Sequence, residues 1–140
     1  MVLSMKTFLV VDDSGVVRRI ARRILEELSF DVSEASDGSE ALARCGETMP
    51  DAILLDWNMP VMDGPEFLRR LRGSAGGDAP KVIFCTTEND MDHIARALEG
   101  GGDEYIMKPF DVQILATKIG AVGIAVTPVP PRTDPLADGR

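Results

Sequence analysis

Three carboxylates fall where apolar runs end. Asp12 and Asp13 follow Phe8-Leu9-Val10-Val11, and Asp56 follows Ala52-Ile53-Leu54-Leu55. Thr86 and Thr87 follow Val82-Ile83-Phe84-Cys85, and Lys108 follows Tyr105-Ile106-Met107. If these runs are parallel strands, all of these residues stand on the C-terminal rim, where open α/β sheets bind ligands. Adjoining carboxylates repel, so one must hold a proton at raised pKa or a cation must neutralise them. Mg²⁺ suits such a set, because it takes one or two carboxylates together with phosphate oxygen and keeps several waters. The cluster therefore predicts Mg²⁺ and phosphate in one pocket. A carboxylate can also attack phosphorus and form an aspartyl phosphate. Positioning and charge stabilisation dominate phosphoryl transfer. The cation, the Lys108 ammonium, and the Thr86 hydroxyl or a backbone N–H would each take one phosphoryl oxygen.

The elements that position these groups follow from periodicity. The first three runs are continuous rather than alternating, as in strands buried on both faces. A weaker run, Asp31 to Ala35, alternates and suits an edge strand. Val16, Val17, Ile20, Ile24, Leu25 and Leu28 form one apolar helix face. Arg18, Arg19, Arg22 and Arg23 stand on its outer face, with Arg22–Glu26 and Arg23–Glu27 at ion-pair spacing. Those arginines read as a solvated face, or as a basic strip for an acidic partner. Asp37 with Glu40 resembles a capping box. Further helices are predicted from Pro65 to Arg72, from Asp90 to Leu98, and from Asp111 to about Ile124, the last weakened by Gly120 and Gly123. Residues 73–77 are glycine-rich without a P-loop lysine and predict a flexible loop. Strand and helix thus alternate five times, which means a parallel sheet with helices on both faces.

Composition narrows the classes. Hydrophobic residues make up 44% of 140, enough for one core without staples. The net charge of −8 argues against nucleic acid as a partner. Of the two cysteines, Cys45 and Cys85, Cys85 sits in an apolar run and reads as a small core residue in a reducing compartment. No stretch is apolar enough to span a membrane, and residues 1–6 carry no signal-peptide pattern, so a cytoplasmic monomer is expected. Residues 1–125 form the expected domain, and the proline-rich residues 126–140 an expected disordered tail.

Val10-Val11-Asp12-Asp13-Ser14, Leu54 to Gly64 (LLDWNMPVMDG), Thr86-Thr87 and Met107-Lys108-Pro109-Phe110 resemble receiver domains of two-component response regulators, above all stand-alone chemotaxis regulators of the CheY type. The resemblance covers roughly Lys6 to Ile124. It supplies the flavodoxin-like strand order 2-1-3-4-5, which periodicity alone does not. It implies Asp56 as phosphoacceptor, Asp13 as direct Mg²⁺ ligand, Asp12 as a ligand through water, and the Asn58 backbone carbonyl as another. It implies that Lys108 pairs with the phosphoryl group and that Lys108-Pro109 is a cis peptide. Thr86 and Tyr105 would switch in response, and Asn58 and Glu88 would tune dephosphorylation. Gly64 would support a turn before Pro65. The implied partners are a histidine kinase or histidine phosphotransfer protein and a downstream protein such as a flagellar motor switch protein. A phosphorelay or phosphate-sink role is the alternative. The chain would act as a switch and catalyse only its own phosphorylation and dephosphorylation.

Two other classes fit worse. Aspartyl-nucleophile phosphatases of the haloacid-dehalogenase kind resemble Asp-x-Asp, whereas this chain has Asp56-Trp57-Asn58 and lacks the second carboxylate. A flavin carrier on the same fold would place phosphate where Asp12 and Asp13 repel it.

Overall fold

A computed structural model describes residues 6–87 and 91–126, apart from the side chains of Met91 and His93. The expectations for Glu88, for a helix start at Asp90 and for the tail beyond Val126 lie outside the described residues. The elements alternate as β1 Thr7–Val11, α1 Gly15–Glu27, β2 Asp31–Ala35, α2 Gly38–Glu47, β3 Ala52–Asp56, α3 Gly64–Arg72, β4 Lys81–Thr86, α4 Met91–Glu99, β5 Glu104–Met107 and α5 Val112–Ala121. The sheet is parallel, in the order β2-β1-β3-β4-β5. This is the flavodoxin-like order that the resemblance implied.

The continuous apolar runs have a simple cause. Successive strand residues face opposite sides, and both sides are covered. Phe8, Val10, Leu54, Ile83 and Ile106 pack with Leu25, Leu115 and Ile119 of α1 and α5. Leu9, Val11, Ile53, Leu55 and Phe84 pack with Ala41, Phe67, Leu71 and Ala97 of α2, α3 and α4. Asp and Ser side chains start four of the helices. Ser14, Asp37, Asp63 and Asp111 each accept a hydrogen bond from the backbone N–H three residues on. The capping box at α2 is one residue longer than the sequence suggested, since Glu40 accepts from the Ser36 N–H at 2.6 Å.

Four sequence expectations need correction. Val16 and Ile20 are 60% and 51% exposed; α1 buries a narrower stripe through Ala21, Leu25 and Leu28. Arg22 pairs with Glu26 at 3.1 Å, but Arg23 and Glu27 form no ion pair among the described residues. Gly123 does not weaken α5 from within. It adopts φ +89° just beyond the helix, and its N–H and that of Ile124 close back onto Gly120 and Ile119. That is a Schellman ending, which needs a left-handed residue. Residues 73–77 are not a free loop, because Arg72 donates to the carbonyls of Gly77 and Pro80 at 2.8 Å and of Gly101 at 2.7 Å.

Val61 is 83% exposed with φ +69°, and the Met62 N–H reaches back to the Pro60 carbonyl at 2.7 Å. This is a γ-turn around a β-branched residue, a costly conformation. Val61→Gly is expected to raise stability by about 1 kcal/mol, measured by urea unfolding. A loss of stability would show that the Val61 side chain contributes more than its backbone costs.

Candidate functional site

The order β1–β3–β4 decides the site. Because β1 and β3 are neighbours, Asp12, Asp13 and Asp56 meet at the C-terminal rim. One oxygen from each lies within 4.8 Å of the others. Asp12 and Asp56 are only 3% and 7% exposed, while Asp13 is exposed. Lys108, on the loop after β5, places Nζ 2.8 Å from Asp12 Oδ2 and 3.2 Å from Asp56 Oδ1. Its backbone N–H donates to the Thr86 carbonyl at 2.8 Å, extending the β4–β5 ladder by one residue. The Lys108–Pro109 peptide is cis.

Electrostatics follow from burial. Desolvation, and then the charge of Asp12, push the Asp56 carboxyl up to about 6 against the pull of Lys108. Burial works against the Lys108 charge, but the hydrogen bond and charge of Asp12 prevail and raise its pKa. The rim is therefore an acidic pocket with the Lys108 ammonium inside it and an incompletely stabilised Asp56. Oxygen donors only, with Asp13 open to water, fit Mg²⁺; Asp12, Asp13 and Asp56 are the side chains that would hold it.

The structure gathers Asp12, Asp13, Asp56 and Lys108. Thr86 is buried on β4, one residue beyond Cys85, which is the β4 partner of Asp56. Asn58 is exposed, two residues beyond Asp56. Tyr105 stands apart from the cluster. It is half-buried, with Lys118 Nζ 4.4 Å from its ring centroid, and Lys118 also pairs with Glu104 at 3.5 Å. Trp57 packs on Phe84 at 5.0 Å between centroids.

Sequence reasoning missed Glu34 and Gly38, and gave Arg18 and Gly64 other roles. Arg18 is not part of a solvated face: it donates to the Asp12 carbonyl at 2.6 Å and to Glu34 at 3.0 Å. Glu34 also binds Arg22 at 2.8 Å. The clue was position, since long helical side chains lean toward the N-terminus and Arg18 follows the Ser14 cap by one turn. Gly64 ends the loop after β3, its N–H donating to the Trp57 carbonyl at 3.0 Å. It is the first residue of α3, and a Cβ there would meet the Asp56 carbonyl oxygen. Gly38 is pressed likewise, with its N–H on the Met62 carbonyl at 3.2 Å.

Residues 8–120 match the response regulator receiver domain family. The chain is 41% identical over 114 residues to the transcriptional regulatory protein PrrA of Mycobacterium leprae, covering 81% of this chain and 48% of that protein. It is 36% identical over 125 residues to the phosphate regulon transcriptional regulatory protein PhoB of Escherichia coli, covering 89% and 54%. The chain thus spans about half the length of these relatives. Among solved structures, Vibrio cholerae chemotaxis protein CheY4 superposes with a TM-score of 0.81 at 31% identity, covering 85% of this chain and 99% of that one. A CheY-like receiver domain protein from Methanospirillum hungatei gives 0.76 at 31% identity, covering 84% and 92%. The chain belongs to the response regulator receiver domain family of two-component signalling, whose members are phosphoacceptor switches.

Proposed function

We propose that Asp56 is the phosphoacceptor of this receiver. The observation that carries this reading is the pairing of a buried Asp56 with Lys108 at 3.2 Å inside the three-carboxylate cluster. A phosphohistidine on a kinase or a histidine phosphotransfer protein is the donor. An Asp56 carboxylate oxygen attacks phosphorus, the P–N bond breaks, and the imidazole keeps the electron pair. Mg²⁺ would be held by Asp13 and Asp56 directly, by Asp12 through water and by the Asn58 backbone carbonyl, and when bound it neutralises charge on the phosphoryl oxygens. Lys108 turns from Asp12 and Asp56 to the new dianion. Thr86 and Tyr105 respond, and Asn58 and Glu88 tune hydrolysis of the acyl phosphate.

The donor docks where α1 meets the loop after β5. Val17, Ile20, Thr87, Lys108, Pro109 and Phe110 line a mainly apolar groove of about 330 Å³ there. Exposed Ile20, which lines this groove, has this use rather than a core one. The output is a change in protein contacts. Chemotaxis or motility, with a flagellar motor switch protein as target, is the finer reading, supported by likeness across nearly all of the Vibrio cholerae chemotaxis chain. A phosphorelay or phosphate-sink role is the second reading.

Trp57 supplies the test. Its fluorescence is expected to change saturably with Mg²⁺ and again with beryllofluoride, a phosphoryl mimic. The beryllofluoride change should need Mg²⁺ and vanish in Asp56→Asn. A folded wild type that binds neither, by fluorescence and by calorimetry, would remove the phosphoacceptor reading.

A further inference from the structure

Asp13 has an unusual position among the cluster's carboxylates. Asp12 is held by Lys108 and by the Ser14 N–H, and Asp56 by Lys108. Asp13 is exposed and makes no hydrogen bond or ion pair among the described residues. Its direction is therefore set by the backbone that carries it. That backbone is the Asp12–Asp13 peptide, a planar unit whose orientation follows from its carbonyl oxygen. The Asp12 N–H donates to the Ala35 carbonyl at 3.1 Å and fixes the preceding peptide. The Asp12 carbonyl is taken by Arg18 Nη1 at 2.6 Å.

Arg18 is itself braced. Its Nε donates to Glu34 Oε1 at 3.0 Å, and Arg22 Nη1 holds Glu34 Oε2 at 2.8 Å. Glu34 lies on β2, in register with Val10 of β1. The Arg18 N–H also closes the first turn of α1 onto the Ser14 carbonyl at 3.0 Å. One guanidinium thus ties α1, the edge strand and the loop bearing Asp12 and Asp13. Its rigid fork suits two acceptors held at once, which a lysine ammonium on a flexible stem does not.

We infer that Arg18 is a positioning residue for divalent-cation binding: through the Asp12 carbonyl it fixes the peptide that aims the otherwise unsupported Asp13 carboxylate into the cluster. The inference rests on the reading of Asp13 as a Mg²⁺ ligand. It opposes what charge alone predicts. A guanidinium beside a cation site repels the cation, so its removal should tighten binding if only Coulomb forces act. Positioning predicts the reverse sign.

The test is a Mg²⁺ titration of wild type, Arg18→Ala, Arg18→Lys, Asp13→Asn and the Arg18→Ala/Asp13→Asn double variant, by Trp57 fluorescence and calorimetry. Thermal unfolding without Mg²⁺ identifies the folded variants. Arg18→Ala is expected to bind Mg²⁺ roughly tenfold or more weakly, the usual cost of losing a group that orients a ligand. Arg18→Lys keeps the charge and loses the fork, so it should show a smaller loss in the same direction; it carries the test if Arg18→Ala does not fold. In the double variant the Arg18 substitution should add little to the loss caused by Asp13→Asn, because both act through one carboxylate. Unchanged or tighter binding by a folded Arg18 variant, or fully multiplicative losses in the double variant, overturns the inference while leaving the receiver site intact. A folded wild type that binds no Mg²⁺ overturns the site reading, and this inference with it.

Discussion

Asp56→Asn is expected to abolish phosphoryl incorporation and, without Mg²⁺, to make the protein more stable by about 3 kcal/mol at pH 7. Incorporation fails because an amide cannot serve as the nucleophile. The gain in stability follows from burial. The carboxyl of Asp56 is pushed from 3.8 to about 6, chiefly by desolvation and then by Asp12, with Lys108 opposing. Its pKa is higher in the folded chain than in the unfolded one, so the folded chain binds more protons between the two values. Stability should therefore fall as pH rises from about 4 to about 6 and level off above, at ~1.4 kcal/mol for each pKa unit. An amide has no such slope. The advantage of Asp56→Asn should be full above pH 6 and shrink toward pH 4. Urea unfolding at pH 4.5 and pH 7.5 reads both points. Saturating Mg²⁺ adds binding energy to the wild type and should narrow or reverse the difference. A variant less stable than wild type at pH 7.5 without Mg²⁺ would mean that Lys108 fully compensates the buried charge.

The rim residues were legible because two independent signals coincide there. Continuous apolar runs mark doubly covered strands, and polar residues follow each run directly. The order β2-β1-β3-β4-β5 was not legible from pattern and came only with the resemblance. Periodicity also says which helix face is apolar, not what covers it. Hence Val16 and Ile20 read as core and are exposed. Gly123 looked like a helix defect because propensity assigns glycine a cost inside a helix and a benefit just past its end, and one residue separates the two cases. Arg18 was hidden for a related reason. Its carbonyl and carboxylate partners come from different elements, and only their register brings them together.

Gly64→Ala is the second large effect: a loss of about 3 kcal/mol in stability, together with loss of the Mg²⁺-dependent signal. Gly64 is buried at the start of α3, and its N–H closes the loop after β3 onto the Trp57 carbonyl at 3.0 Å. A methyl group there would collide with the Asp56 carbonyl oxygen, and would stand 3.0 Å from Phe84 Cε1 and 3.2 Å from the Trp57 Cα. Two of these three obstacles are backbone, so no rotamer change clears them. Asp56 cannot simply retreat, because the next residue is held by the Trp57 N–H to Cys85 carbonyl bond at 3.2 Å. Either α3 lifts from the sheet and opens its contacts through Phe67 and Leu71, or the Asp56 backbone shifts and carries the carboxylate out of line with Lys108. Both routes damage the site, the first through stability and the second through geometry. Gly46→Ala is the matched control. It lies inside α2 with open space around it, so the same substitution there should stabilise by roughly 0.5–1 kcal/mol. If Gly64→Ala unfolds in urea like wild type and still responds to Mg²⁺, the close approach of α3 to the end of β3 is not what holds Asp56 in place.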